Sequence, residues 1–242
     1  MATDKYEHGH GLSEIRQRLR DGPRVSYLRD WVYGGIDGAV TTFAIVAGVV
    51  GANMSARVML ILGAANLLAD GFSMAAANYS SSRAEADEYR HVRAMEERHI
   101  ERNPDGEREE IRQIMAAKGF ANDHLEHAVN VITSNRERWV DTMMAEEHGM
   151  PANRRSAWRA AMATFLAFIM CGAVPLLPFV LGAPATVLTS TVMTGLTFFV
   201  IGSIRSQWSP QPFWRAGLET MAIGLAAAGV AYGVGRLLSS IA

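Results

Sequence analysis

The chain has 242 residues, 49% of them hydrophobic and 19% charged, with a formal net charge of -1 and a mean hydropathy of +0.06. The net charge says nothing about partners, but the sequence has no basic patch with interleaved aromatic residues that would indicate nucleic acid, and the single Cys171 excludes a disulfide framework. Charge-poor segments at 31–82 and 157–242 flank a charged segment at 83–156. This segregation predicts a membrane protein with one water-soluble insert.

The first predicted span covers about residues 30–52 and follows a polar N-terminal segment, residues 1–29. Asp37 lies in this span without a basic residue to neutralise it, and an ionisable group at that depth costs about 2.5–3.5 kcal/mol on insertion scales. We therefore predict that Asp37 lines a transport pathway, the alternative being a place near the membrane surface. Gly34 and Gly38 lie on one helix face, where small residues let another helix approach closely.

The second predicted span, at about 58–78, completes a two-helix segment that we assign to residues 30–82. Asn66, Asp70 and Met74 recur at four-residue spacing and therefore share one helix face. Because an acid within a membrane span is costly, this face is predicted to line the same pathway. The alternative is that its polar groups only form hydrogen bonds between helices.

The charged segment 83–156 lacks the alternation typical of strands and predicts a cytoplasmic insert of three helices. The first helix continues out of the second span. Asn103 is typical of a cap for the second helix, which stops at Gly119. The third helical region covers about 122–147, with Ser134 at a point that favours a break.

Carboxylates, an imidazole and thioethers recur in the insert at three- and four-residue spacings, which put each set on one helix face. Carboxylate and imidazole suit first-row divalent metals, and thioether sulfur favours softer ions over Ca²⁺ or Mg²⁺. Charged helices offer such spacings freely, so the pattern alone favours a solvated face with the methionines in a core. The candidate metal ligands are Glu96, His99, Glu107, Glu110, Met143, Met144 and Glu147.

Three further spans are predicted within residues 157–242, at about 158–181, 186–204 and 213–238. Pro175 lies near the outer end of the third span and predicts a kink there. The fold class predicted from the whole pattern is an all-α membrane protein with five transmembrane helices. A three-helix insert lies between the second helix and the third, and it is the segment that carries the candidate metal ligands.

Arginines are concentrated on one side of this topology, in segments 16–29 and 154–159 and at Arg205 and Arg215. Because basic flanks stay on the cytoplasmic side, the N-terminus and the insert are predicted to be cytoplasmic. Five spans then place the C-terminus outside.

The run DGAVTTFAIVAGVVGAN at 37–53 resembles the first span of the vacuolar iron transporter family, and DGFSMAAANY at 70–79 resembles its second. The resemblance continues through the insert to VPLLPF at 174–179 and into 213–219. It covers nearly the whole chain from about residue 28, and the combination of motifs is specific. The chain is thereby similar to a bacterial member of this family.

This resemblance implies a homodimer of five-span subunits in the lipid bilayer of a bacterial inner membrane. It implies a transporter, not an enzyme, that moves Fe²⁺ out of the cytoplasm by proton antiport, with Mn²⁺, Co²⁺ and Zn²⁺ as alternative substrates. Asp37 and Met74 match the family's ion path at the dimer interface. The family's cytoplasmic glutamates and Met-Met pair match Glu96, Glu107, Glu110, Glu147, Met143 and Met144.

Two departures from the family pattern affect the predicted site. Asn66 stands where eukaryotic members place a glutamate, with Asp70 one turn further on as a candidate substitute for proton coupling. His99 stands where the family has an insert glutamate, and histidine titrates near neutrality and binds metal only when neutral.

Two other functions are compatible with the residues alone. Glu96 and His99 form a Glu-x-x-His pair of the kind that builds di-iron sites, which would suit a membrane-anchored iron oxidase or iron-storage protein. Alternatively, the insert only docks a partner and binds no metal.

Overall fold

A computed structural model of the chain describes residues 9–22, 25–150, 155–184 and 186–241. Residues 1–8, Arg24 and Arg154, which contributed to the sequence predictions, lie outside this part. The described residues are helical, with no strand among them. The helices are α1 (Leu12–Asp21), α2 (Leu28–Gly51), α3 (Ala56–Arg102), α4 (Pro104–Ala117), α5 (Asn122–Thr133), α6 (Arg136–Glu146), α7 (Ala157–Ala173), α8 (Leu177–Val180), α9 (Thr186–Arg205) and α10 (Phe213–Ser239).

Within the described residues, five helical segments are long and apolar enough to cross a membrane. The class predicted from sequence, an all-α membrane protein with five spans and a helical insert between the second and third, is therefore confirmed. The segments are Leu28–Gly51, Ala56–Arg102, Ala157–Val180, Thr186–Trp208 and Phe213–Ser239.

The chain divides into two compact units, residues 1–79 with 157–242 and residues 80–156. The first unit contains the spans, and its core is formed by apolar side chains such as Val46, Phe168 and Phe198. Burial of such side chains supplies dispersion contacts that lipid alone does not match as closely.

Helices α2 and α7 approach each other at glycines of α2. A Cβ atom at Gly38 would lie 2.4 Å from the backbone oxygen of Phe168, and one at Gly34 would lie 2.4 Å from that of Thr164. Both distances are far below van der Waals contact, so these positions require glycine. The small-residue face predicted for the first span thus serves close helix packing within the chain.

The third span changes its helical geometry at its prolines. After α7 a 3-10 turn covers Val174–Leu176, and α8 follows. Pro175 has no N–H to donate, and its carbonyl oxygen accepts a hydrogen bond from Ser190 Oγ of α9 at 2.7 Å. The irregularity predicted at Pro175, near the C-terminal end of this span, is a 3-10 turn hydrogen-bonded to α9.

A polar network joins α2, α3 and α7 at one level of the first unit. Asn78 Nδ2 donates to Asp30 Oδ1 at 3.0 Å and to Thr164 Oγ1 at 2.7 Å. Hydrogen bonds between helices in lipid contribute about 0.6 kcal/mol on average. The network therefore stabilises the packing of these three helices, and it also satisfies the side-chain amide of Asn78.

The second unit contains the end of α3 with α4, α5 and α6, around an apolar core that includes Ile111, Val129 and Trp139. The third helical region expected from sequence is split into α5 and α6, as Ser134 had indicated. The predicted cap of the second insert helix is present, since Asn103 Oδ1 accepts a hydrogen bond from the Gly106 amide at 3.4 Å.

A candidate metal site in the insert

Glu96, His99 and Glu107 meet where α3 gives way to α4. Glu96 and His99 lie three residues apart on one face of α3, and Glu107 lies in the first turn of α4. His99 Nδ1 is 3.7 Å from Glu96 Oε1 and 3.5 Å from Glu107 Oε1. One residue, Asn103, separates the two helices, so the turn brings both carboxylates to the same imidazole.

Glu147 and His148 add a second group of ligand atoms around Glu96. His148 Nε2 lies 3.1 Å from Glu96 Oε1 and 3.8 Å from Glu147 Oε2. The amides of both residues donate to the carbonyl oxygen of Met143, which closes the end of α6. Gly149 follows with a φ of +64°, a left-handed conformation that favours glycine and turns the chain away after His148.

These ligand atoms form two overlapping triads that could each hold a metal ion. One contains Glu96, Glu147 and His148, and the other contains Glu96, His99 and Glu107. Within each triad the ligand atoms lie within 4.8 Å of one another. Glu96 belongs to both, so it is the centre of the cluster.

The two central carboxylates are buried and incompletely paired. Glu96 is 2% exposed and Glu107 6% exposed, and Oε2 of each has no hydrogen-bond partner among the described residues. Leaving a buried acceptor unsatisfied costs about 1–3 kcal/mol, and more when it is charged. A bound cation would relieve this cost, whereas a solvated charged face would leave both side chains in water.

Burial and mutual repulsion raise the pKa values of two of these carboxyl groups. The pKa of Glu107 rises to about 7, mainly through burial and then through the charges of Glu110 and Glu96. The pKa of Glu147 also rises, through burial and the charge of Glu110, while His148 opposes the rise. A divalent cation would favour the charged forms and displace the protons.

Several other acidic side chains of the insert have arginine or lysine partners. Arg93 pairs with Asp141 at 2.5 Å, Arg136 with Glu101 at 2.5 Å and Lys118 with Glu146 at 2.6 Å. In the described part of the chain, the ion pairs of Glu96 and Glu107 go only to histidines. Histidine is a metal ligand when neutral, so the buried acids are paired with groups that can share a metal.

The remaining ligands predicted from sequence lie around this cluster in different environments. Glu110 is exposed, and its charge acts on Glu107 and Glu147. Met143 is fully buried and packs in the apolar core of the insert, and Met144 is 1% exposed. The core position of Met143 is the one that helix spacing alone had favoured.

His148 is a candidate ligand that sequence reasoning missed. It follows the predicted ligand Glu147 directly and precedes Gly149, so it lies after the last helical residue. Glu147 also lies after the last helical residue of α6, so spacing within a helix did not separate the two residues. The available signal was its chemistry, an imidazole next to a predicted carboxylate ligand.

The polar residues of the spans form a separate constellation in the first unit. Asn66 Nδ2 of α3 donates to Thr41 Oγ1 of α2 at 3.4 Å, and Thr41 Oγ1 donates to the carbonyl oxygen of Asp37 at 2.9 Å. Asp37 lies on α2 and Asp70 on α3. Asp37 is half-buried and Asp70 exposed, while Met74 packs against the core of the spans.

Comparison with known proteins places these observations in a family. Residues 28–236 match the model of the VIT family. A vacuolar iron transporter 1 of Eucalyptus grandis is 29% identical over 249 residues, which cover 99% of this chain and all of the relative. A vacuolar iron transporter of Toxoplasma gondii is 35% identical over 228 residues, 89% of this chain and 75% of the relative. One of Centaurea cyanus is 32% identical over 213 residues, 86% of each chain.

These matches confirm the resemblance derived from the motifs at 37–53 and 70–79. They agree with a membrane transporter and not with an oxidase built on the pair Glu96 and His99.

Proposed function

The chain belongs to the VIT family, and we propose that it moves Fe²⁺ out of the cytoplasm in exchange for protons. The observation that carries this proposal is the pair of buried carboxylate oxygens, Oε2 of Glu96 and of Glu107, that lack a partner among the described residues. Such oxygen atoms are suited to bind a divalent cation transiently, as a transported ion. The relatives are named as iron transporters, which favours Fe²⁺ over Mn²⁺, Co²⁺ or Zn²⁺.

The insert is proposed to capture the metal before it is transported. Glu96, Glu107 and Glu147 supply oxygen ligands, and Glu110 adds negative charge that attracts a cation. Met143 and Met144 are retained from the family pattern as thioether ligands, although Met143 packs in the core of the insert. If Met143 is a ligand, its sulfur must contact the ion while the side chain also packs in the apolar core of the insert.

Asp37 and Asp70 are proposed to line the path through the membrane, with Met74 beside them. An ionised carboxylate is unfavourable in a medium of low dielectric constant, so a cation or a proton must neutralise these acids. A metal ion and a proton would then occupy these carboxylates in turn. Asn66 carries no titratable proton, so Asp70 is the proposed partner of Asp37 in coupling.

The proposed assembly is a homodimer in which a second copy covers Asp70. This side chain is exposed on α3 in the single chain, where it would face lipid at a cost of about 2.5–3.5 kcal/mol. A partner subunit on this side would remove the acid from lipid.

The proposed location is a bacterial inner membrane with the N-terminus and the insert in the cytoplasm. Arg29, Arg205 and Arg215 lie near the ends of spans that this orientation places inside. The C-terminus is then outside.

The test is Fe²⁺ uptake into proteoliposomes by purified full-length protein, with and without an imposed pH gradient. Asp37→Asn keeps the side-chain volume and removes the charge, and we expect it to abolish flux. Asp123→Asn makes the same change at an exposed position of α5 and should transport like the parent protein. Unchanged flux in Asp37→Asn would refute the pathway, and flux insensitive to the gradient would refute antiport.

A further inference from the structure

We propose that His148 is a metal ligand and that, with His99, it biases the capture site towards ions that favour imidazole nitrogen, such as Zn²⁺ and Co²⁺, over Mn²⁺. This inference rests on the proposed function, because it concerns the ligand chemistry of the same insert. It adds a residue and a selectivity that the carboxylates do not provide.

Two imidazoles flank a single carboxylate oxygen. His148 Nε2 lies 3.1 Å from Oε1 of Glu96, and His99 Nδ1 lies 3.7 Å from the same atom. The two histidines come from distant parts of the chain, one from α3 and one from the residue pair that follows α6. An ion bound by Glu96 in either triad would therefore find one imidazole nitrogen beside it.

A purely structural ion pair between His148 and Glu96 would not satisfy all the buried carboxylate oxygens of this cluster. Such a pair satisfies Oε1 of Glu96, but Oε2 of Glu96 and Oε2 of Glu107 remain buried without partners. His148 is itself largely enclosed, with 21% of its side chain exposed, and its amide is held by the Met143 carbonyl oxygen at 3.3 Å. The imidazole is thus positioned where a cation would satisfy the orphaned oxygens.

Ligand type decides which ions such a site prefers. Carboxylates alone suit Mg²⁺, Ca²⁺ and Mn²⁺, whereas imidazole suits zinc, iron, copper and nickel, and affinity for nitrogen and oxygen sites rises from Mn²⁺ through Fe²⁺ and Co²⁺. Each triad offers one imidazole nitrogen with carboxylate oxygens, either His148 with Glu96 and Glu147 or His99 with Glu96 and Glu107. This mixed set disfavours Mn²⁺ relative to Co²⁺ and Zn²⁺.

The experiment measures Zn²⁺, Co²⁺ and Mn²⁺ binding to purified full-length protein by calorimetry, for the parent chain and for His148→Gln. We expect the variant to lose about tenfold or more in affinity for Zn²⁺ and Co²⁺ and less than about threefold for Mn²⁺. The matched control is His124→Gln, which removes an exposed imidazole of α5 outside both triads. Pulsed electron paramagnetic resonance of bound Mn²⁺, with ¹⁵N-labelled histidine, should show nitrogen coupling that falls in His148→Gln.

A third variant, Glu96→Gln, separates this inference from the proposed function. If Glu96→Gln loses binding while His148→Gln retains the parent affinities and nitrogen coupling, the ligand role of His148 is wrong and metal capture by the insert stands. If Glu96→Gln binds all three ions like the parent, the insert is not the capture site and both proposals for it fail. The transport pathway at Asp37 is tested separately, by the Fe²⁺ uptake assay in proteoliposomes.

Discussion

His99 Nδ1 lies 3.5 Å from Glu107 Oε1, so an imidazole near the end of α3 meets a buried acid in the first turn of α4. His99 also lies 3.7 Å from Glu96, and it is therefore shared by two carboxylates whose charges repel each other. The arrangement gains stability from any positive charge, whether a proton or a metal ion. Occupancy of the cluster should consequently depend on pH.

Glu107 should make the metal-free protein more stable as the pH falls. Its folded pKa of about 7 lies above the ordinary glutamate pKa of 4.5, so between these pH values the folded chain holds a proton that the unfolded chain releases. This contribution is fully present below pH 4.5 and is lost as the pH rises through 7. We expect Glu107→Gln to flatten the rise in thermal midpoint between pH 8 and pH 5, measured in chelator by tryptophan fluorescence.

With metal bound, the sign of the Glu107 effect reverses, because protons and metal compete for the carboxylate. Affinity for Zn²⁺ should fall as the pH drops below about 7. The control is Glu137→Gln, which changes an exposed acid of α6 and should keep the parent's pH profile. Identical stability profiles for Glu107→Gln and the parent would contradict the assigned role of burial at this site.

The contact of α2 with α7 should not tolerate even one added methyl group at Gly38. Its Cβ would lie 2.4 Å from the Phe168 carbonyl oxygen and 2.8 Å from the Phe168 Cα, and backbone atoms cannot move aside as a side chain can. We expect Gly38→Ala to destabilise the protein by about 1–3 kcal/mol, as overpacking typically does. The measurement is the midpoint of thermal aggregation in detergent.

Gly229→Ala is the matched control for this packing prediction. Gly229 lies in α10, and a Cβ atom there meets nothing within 4 Å. Alanine also has a higher helix propensity than glycine, so the control should be neutral or stabilising. Equal behaviour of the two variants would show that α2 and α7 are less closely packed than described.

The spans were predictable from sequence because long apolar runs have few alternative structures. The first span was expected at about 30–52 and is Leu28–Gly51, and the fifth was expected at 213–238 and is Phe213–Ser239. Local chemistry also predicted the cap at Asn103. These features depend on residues close together in the chain.

The candidate metal site was less predictable because tertiary packing assembles it. Spacing puts Glu96 and His99 on one face, but it does not show that Glu96 is 2% exposed or that His148 lies beside it. Nor does spacing separate Met143 as a ligand from Met143 as a core residue, since a thioether suits both. Burial and orphaned oxygen atoms, which only the fold reveals, distinguish a candidate site from a solvated face.

Asn78 and Thr164 should be energetically coupled. Their hydrogen bond of 2.7 Å joins α3 to α7, and Asn78 also donates to Asp30 of α2. We expect Asn78→Ala and Thr164→Val each to lower the thermal midpoint, with a double variant less destabilised than the sum by about 0.6 kcal/mol. If the destabilisations of the two single variants add up strictly in the double variant, the hydrogen bond between Asn78 and Thr164 contributes no free energy of its own.

The proposed dimer can be tested on the face of α3 that carries Asp70. Ser73 lies three residues further along on the same face and is exposed, so Ser73→Cys in a Cys171→Ser background presents one thiol there. If a second copy covers Asp70, a short bifunctional maleimide should convert most of the protein in lipid nanodiscs to a covalent dimer. Cross-linking should be independent of protein concentration, because the partner is already bound.

Val230→Cys in the Cys171→Ser background is the control for cross-links that form by chance collision between subunits. Val230 is 68% exposed on α10, and the proposal leaves that helix facing lipid. Cross-linking at Val230 but not at Ser73 would place the interface on α10 and leave Asp70 in contact with lipid. The cost of that exposed acid would then require another explanation, such as a water-filled groove along α3.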